Sequence, residues 1–423
     1  MGHYVCYYIT KDKPMTNKQA AIKVIRRLNR NRFQALMAGG CVRDMLLGKR
    51  PKDYDVATNA QPKEVIGLFK RTIKVGAKFG VVIVLLEDQK VEVATFRTET
   101  GYADGRHPSV VKFTGAAEDA SRRDFTINGM FYDPLKEKVI DYVEGRADLK
   151  KGVVRTIGKP KERFGEDYLR MLRAVRFSTQ FGFDIEPATW SAICSNAKKI
   201  TNISGERIAI ELEAILTNPN RSLGASMLAK SGLAKAIFPG FSGKQAQFAI
   251  KVLAQLPKKV DFALALASLF AGCKTEFARK KCQILKLSRS RNKHIKFLLT
   301  NRGRLLDEKM SLAELKMILS EPYFWDLYGL QRAIQQARPD GREGIAALSR
   351  LRRRIKDLGD VELRPKPLLD GHDLIRLGAV PGPVLGQLAE EMYIAQLEGK
   401  LQTPKQAQHW VRKWLQKHRM TEK

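Results

Sequence analysis

An α+β amino-terminal third followed by a wholly helical remainder is the architecture this sequence predicts, and three observations carry it. The β-branched runs at residues 81–86 and 91–96 flank Glu87-Asp88-Gln89-Lys90, a spacing that predicts an antiparallel hairpin. A second pair of short runs, residues 129–132 and 138–142, is joined at Asp133-Pro134. Beyond about Glu162 strand signals fade, and residues 168–181, 206–216 and 262–270 show apolar positions at helical spacing. Residues 18–29 share that spacing and place a helix ahead of the first strands.

Gly158-Lys159-Pro160, Pro239-Gly240 and Pro365-Lys366-Pro367 interrupt these patterns and mark candidate junctions. With 423 residues and 44% hydrophobic content, the chain can fill two or more cores. Lys and Arg number 76 against 44 Asp and Glu, a formal charge of +32. Such an excess attracts polyanions, nucleic acid first and an anionic membrane surface second. No run reaches the roughly 18 apolar residues of a spanning helix, and residues 1–14 lack the apolar core of a signal peptide. A soluble, intracellular protein is expected.

The five cysteines, Cys6, Cys41, Cys194, Cys273 and Cys282, are odd in number and form no CxxC pair, which argues against a disulfide framework or a zinc site. Gly371-His372-Asp373 lacks companion His and Asp ligands and reads as a loop or capping segment. Residues 350–356 hold five basic residues in seven, a pattern that fits either a phosphate-contacting helix or a solvated face.

The most specific chemistry lies in residues 38–58. Gly39-Gly40 lets the backbone approach a polyphosphate, and a helix starting near Cys41, with Arg43 in its first turn, would present free N–H groups to that anion. Asp53 and Asp55 are two apart, so an extended segment would aim both carboxylates from one face. Paired carboxylates repel unless a cation lies between them, and hard oxygen ligands suit Mg²⁺. A phosphoryl-transfer site follows.

The stretch Gly39-Gly40-Cys41-Val42-Arg43 through Asp53-Tyr54-Asp55 resembles the signature of the class II tRNA nucleotidyltransferase and bacterial poly(A) polymerase family, within the DNA polymerase β superfamily. The resemblance implies a nucleotidyltransferase head with a mainly antiparallel sheet flanked by helices, followed by an all-α neck, body and tail. The corresponding divisions are residues 18–158, 159–216, 217–350 and 351–423. It implies that Glu92, within Val91-Glu92-Val93, is a third catalytic carboxylate beside the metal ligands Asp53 and Asp55. Arg122-Arg123-Asp124 is similar to the family motif that holds the ribose of the incoming nucleotide. Glu166-Asp167-Tyr168-Leu169-Arg170 resembles the element that recognises the base.

On a continuous helix Asp167 and Arg170 would share a face, with Arg173 one step further along. A carboxylate there accepts from the exocyclic amine of cytosine or adenine, while a guanidinium donates to the ring nitrogen. Arg173 and Arg176 are nucleotide-binding candidates that could instead contact phosphates or brace the head against the helices. Residues 206–212 resemble a further family motif, a helix supporting this one.

Gly76-Ala77-Lys78-Phe79-Gly80 and the tail pattern over residues 378–402 resemble the tRNA enzymes more than the polyadenylating ones. Residues 98–108 have the Gly, Pro and polar content of a mobile loop, which in the family helps the site accept ATP. The resemblance therefore implies a cytoplasmic, Mg²⁺-dependent enzyme that adds C, A or both to the tRNA 3′ end from CTP and ATP, without a membrane partner. The alternatives are a poly(A) polymerase, a tRNA enzyme adding only A, and a non-catalytic RNA-binding homologue.

Overall fold

The computed structural model describes residues 15–76, 80–100 and 110–419. They divide into two compact units, Met1–Gly243 and Lys244–Lys423.

The first unit is built on strands β1 (Ala35–Ala38), β2 (Val56–Thr58), β3 (Thr72–Gly76), β4 (Val81–Leu86), β5 (Gln89–Thr95), β6 (Arg97–Thr100), β7 (Val110–Phe113), β8 (Phe131–Asp133) and β9 (Lys138–Ile140). Seven of them form one sheet in the order β3-β4-β5-β2-β1-β8-β9, while β6 and β7 pair separately. Among the described residues of the large sheet only the β2·β5 ladder is parallel, so the expectation of a mainly antiparallel sheet is met. The first hairpin turns more tightly than its sequence suggests. Gln89 and Lys90 pair with Leu86 and Leu85, which leaves Glu87 and Asp88 as the turn, with Glu87 at φ 51°. In the second hairpin Asp133 ends β8 and its Oδ1 accepts from the N–H groups of Leu135 and Lys136, closing the turn.

The Asn17–Arg30 helix starts at a Thr16/Gln19 capping box and buries Ala20, Ala21, Val24, Ile25 and Leu28 as a stripe against β5 and β1. Each fully buried Val, Ile or Leu there stabilises the unit by about 1.5–3 kcal/mol. Leu36, Ala38, Ala57, Phe96, Ala116, Ala120 and Phe131 form another core cluster, in which Phe96 meets Phe131 edge to face with centroids 5.7 Å apart.

Helices Pro160–Glu166, Leu169–Phe181, Pro187–Asn196, Gly205–Leu216 and Arg221–Lys230 belong to this unit, as does a two-residue parallel ladder of β10 (Val153–Val154) and β11 (Asp184–Ile185). One expectation is corrected here. Asp167 does not share a helix with Arg170: its backbone is extended, at φ −153° and ψ 105°, between two separate helices. The Asp167 side chain explains the break. Its Oδ1 accepts the N–H of Leu169 at 3.0 Å and its carbonyl accepts that of Arg170 at 3.0 Å, bonds that satisfy otherwise orphaned donors where the second helix begins.

In the second unit all the described elements are helical. Its last helices, Gly371–Arg376, Pro383–Leu397 and Pro404–Arg419, enclose a core of Leu369, Leu374, Leu388, Met392, Val411 and Trp414. Asp370 and Asp373 form a capping box around the exposed His372, in keeping with the capping reading of that segment.

Among the described residues Cys41, Cys273 and Cys282 are buried thiols and Cys194 is an exposed one, while Cys6 lies outside them. Residues 77–79, 101–109 and 1–14 also lie outside, and with them parts of the GxxFG stretch, the expected ATP-switching loop and the segment read for a signal peptide. Among the described residues no helix is long and apolar enough to cross a membrane.

Candidate active site

At the end of β1 the chain reverses through Gly39, whose φ of +74° favours glycine; a Cβ there would lie 3.0 Å from an Arg123 amine. The Gly40–Leu46 helix follows and carries Arg43 into the interior. Arg43 Nη1 donates to Asn128 Oδ1 at 2.5 Å, and Nε and Nη2 both donate to Asp44. The guanidinium also lies over the Phe181 ring, 4.6 Å from its centroid. Arg43 is thus braced on three sides.

Asp53 and Asp55 precede β2 rather than lie within it. Pairing nevertheless reaches Asp55, whose carbonyl accepts the Ala38 N–H at 3.0 Å. In the parallel ladder Val56 is the partner of Val93, so the register continued by one residue sets Asp55 beside Glu92. Electrostatics agree with that placement. Desolvation by the surrounding protein, then the charges of Glu92 and Asp53, push the Asp55 carboxyl up to about 6, against the opposing pull of Arg123.

This edge therefore holds more negative charge than its neighbours neutralise. Among the described residues no three His, Cys, Asp or Glu side chains converge closely enough to cage an ion unaided. A pair of carboxylates under mutual repulsion still fits a hard divalent cation that takes its remaining ligands from substrate oxygens and water.

Next to this edge opens a cavity of about 530 Å³. It gathers Gly39, Gly40, Arg43, Asp55, Arg122, Arg123, Asp124, Asp167, Arg170, Arg173 and Arg176 from the expected residues, and adds Asn128, Leu169, Phe177 and Arg207. Asp53 and Glu92 do not line it. Seven arginines and three aspartates line it, and five of the arginines, Arg43, Arg122, Arg123, Arg170 and Arg176, also pair with Asp44, Asp119, Glu166 or Glu211, none of which lines the cavity.

Two of the three lining carboxylates, Asp124 and Asp167, are already matched. Asp124 receives Arg173 Nε and Nη2 at 2.7 and 2.6 Å, and Asn128 at 3.3 Å. Desolvation would raise the Asp124 pKa, but Arg173, Arg170 and Asn128 outweigh it and bring the group down to about 2. Asp167 Oδ2 accepts from Arg207 at 2.6 Å, while Arg170 donates to Glu166 at 2.5 Å and to the Arg163 carbonyl at 3.0 Å. Asp167 and Arg170, three apart in sequence, therefore bind other partners rather than each other. Arg173 braces the head through Asp124, and Arg176 pairs with Glu211 at 3.3 Å. Desolvation raises the Glu211 pKa in spite of Arg176 and Arg173.

Sequence reasoning missed Arg207, Asn128 and Arg163 as parts of this network. Arg207 and Glu211 sit in the helix read as a support, and they perform that support through charge. Asn128 closes the Arg-Arg-Asp stretch four residues after Asp124, a spacing that could have flagged it as the group tying Arg43 to Asp124. Arg163 donates to Glu166, an i,i+3 pair that helical spacing could have flagged, and to the Arg123 carbonyl at 2.7 Å, a contact across 40 residues that no local pattern signals.

Residues 35–155 match the poly A polymerase head domain family, and residues 182–244 match a family described as the probable RNA and SrmB-binding site of polymerase A. The chain is 34% identical over 399 residues to the CCA-adding enzyme of Lactobacillus johnsonii, covering 90% of this chain and 93% of that one. To the CCA-adding enzyme of Geobacillus stearothermophilus it is 32% identical over 414 residues, covering 95% and 98%. Among solved structures it resembles the Bacillus stearothermophilus CCA-adding enzyme in complex with CTP, with a TM-score of 0.75, 29% identity and coverage of 97% and 99%. The fold also matches that of the Thermotoga maritima CCA-adding enzyme complexed with tRNA, with a TM-score of 0.65, 22% identity and coverage of 94% and 95%.

Proposed function

The chain belongs to the family of class II CCA-adding enzymes, and we propose that it adds C and A to the 3′ end of tRNA from CTP and ATP, releasing pyrophosphate. The observation that carries this reading is the pairing of an under-neutralised carboxylate edge with an arginine-rich cavity of about 530 Å³ that Asp55 itself lines. Relatives matching more than nine-tenths of both chains are CCA-adding enzymes, which favours tRNA over polyadenylation. The four-part division into head, neck, body and tail, and a cytoplasmic setting, belong to the same proposal.

Asp53 and Asp55 would hold the metal, proposed to be Mg²⁺, with Glu92 beside them. Bound there, the ion supplies neutralisation of the charge that builds on the reacting phosphate and favours ionisation of the RNA 3′-hydroxyl. Every other contribution comes from the chain's own groups. Gly39 and Gly40 let the backbone approach the polyphosphate, while Arg43, Arg122 and Arg123 offer cations to it. Asp124, held ionised, accepts from the ribose 2′-hydroxyl and so favours ribonucleotides. Alignment and charge neutralisation supply the rate.

Base choice rests on hydrogen-bond capacity left over in the network. An ionised carboxylate has about four acceptor directions, and Asp167 uses one for Leu169 and one for Arg207. It can still accept from the amine of cytosine or adenine. The contacts of Arg170 to Glu166 and the Arg163 carbonyl employ Nη1, leaving Nε and Nη2 for a ring nitrogen. Uracil and guanine would set a carbonyl against Asp167, two acceptors facing each other without a proton.

The test is incubation with tRNA lacking its end, tRNA ending in C or CC, and an unrelated RNA, with CTP and ATP given singly and together. Completion of CCA and arrest after one A is expected. Continued A tailing, or equal use of the unrelated RNA, would overturn the tRNA assignment.

A further inference from the structure

In the second unit, the helices Phe324–Ala337 and Arg342–Asp357 pack against each other and leave a groove of about 570 Å³ between them. Trp325, Tyr328 and Arg332, at helical spacing, form one wall, and Leu348, Arg352 and Lys356 form the other.

Two features of the groove have no use in the fold. Trp325 is 59% exposed, although an indole stabilises a protein chiefly by burial. Edge contacts to Phe324 and Tyr328, with centroids 5.1 and 5.9 Å away, hold it in place. Around it stand Arg332, Arg352, Arg353 and Lys356, all exposed, and among the described residues none of these side chains makes an ion pair or a hydrogen bond. Their helix neighbours behave differently: Arg350 pairs with Glu308, and Arg354 donates to the Met310 carbonyl at 2.7 Å. Four like charges without partners repel one another.

We propose that this groove is an RNA-contact site in which an unstacked base lies on Trp325 while the flanking phosphates run along Arg332, Arg352, Arg353 and Lys356. A polyanion relieves the repulsion among the cations, and an aromatic ring among cations is the combination that grips a nucleotide strand by stacking and charge together. An acidic peptide would use the cations and leave the indole idle. The inference rests on the reading of the protein as a tRNA enzyme and adds to it a contact outside the 3′ end.

The experiment uses the full chain and measures the affinity of tRNA lacking its CCA end, without nucleotides, as salt is varied. Trp325→Ala is expected to weaken binding roughly tenfold, the size of one base stack, and Trp325→Phe to recover most of it. Arg352→Gln with Arg353→Gln should flatten the slope of log affinity against log salt by about 0.7–0.9 for each phosphate that is no longer neutralised. Thermal melting checks that each variant stays folded. In incorporation assays the tRNA KM should rise while kcat holds. Unchanged affinity and slope in both variants would overturn the site. Displacement of the RNA by polyglutamate, together with indifference to Trp325→Ala, would assign the groove to an acidic peptide instead. Trp325-dependent binding by a wild-type protein that adds no nucleotides would leave the groove standing and sink the proposed activity.

Discussion

Two sets of carboxylates border one cavity in the first unit, and the protein treats them in opposite ways. At the sheet edge, desolvation and the charges of Glu92 and Asp53 push Asp55 up to about 6. Across the cavity Asp124 is desolvated too, yet Arg173 and Arg170 bring it down to about 2. Burial acts in the same direction on both, so the neighbours decide the outcome. The contrast teaches what each set is ready for. The edge gains from a cation arriving from outside, whereas the arginine network is neutralised in advance and meets a ligand with spare hydrogen-bond capacity.

Removing the edge should have the largest effect. Asp53→Ala with Asp55→Ala takes away both proposed metal ligands, and single-turnover nucleotide incorporation should fall by about a thousandfold or more, since a missing metal is worth several kcal/mol of transition-state stabilisation. Retained incorporation in a folded double variant would end the two-set picture.

Asp167→Ala probes the network side. Competition between CTP and UTP, and between ATP and GTP, should lose roughly a hundredfold in selectivity, because the wrong base no longer leaves a buried acceptor unmatched. Selectivity equal to wild type would shift base choice to another group. Overall incorporation should suffer less than in the edge variant, and that ordering sharpens the comparison.

The smallest expected effect is on stability. The Asp124 pKa lies below its ordinary value of about 3.9, so its contribution is present above that pH and is lost as pH falls towards about 2. Denaturant titrations of Asp124→Asn should show about 2 kcal/mol less stability at pH 7 and a flatter pH dependence between pH 4 and 2. The same slope in variant and wild type would mean that the Arg173 pairing does not hold the carboxylate down.

Much of the first unit was legible in sequence because its signals are local. β-Branched runs marked β4 and β5, helical spacing marked the Asn17–Arg30 helix, and the helix expected to start near Cys41 begins at Gly40. The break at Asp167 was not legible. Helical periodicity runs on from Tyr168, and nothing in that pattern says that an aspartate side chain will bond to the N–H of Leu169 instead of continuing the preceding helix. Nor does spacing show that residues 40 positions apart, Asp167 and Arg207, will meet.

Sequence alone determined which chemical groups this protein has, in what order, and the type of most elements that carry them, because backbone preference and side-chain period are properties of neighbouring residues. The tertiary structure alone decided which charge answers which. Asp55 lies next to Glu92 through strand register, Asp124 binds Arg173 across 49 residues, and Asp167 turns to Arg207 rather than Arg170. Coulomb forces and hydrogen bonds depend on distance in space and on the exclusion of water, and neither quantity exists until the sheet and helices have packed.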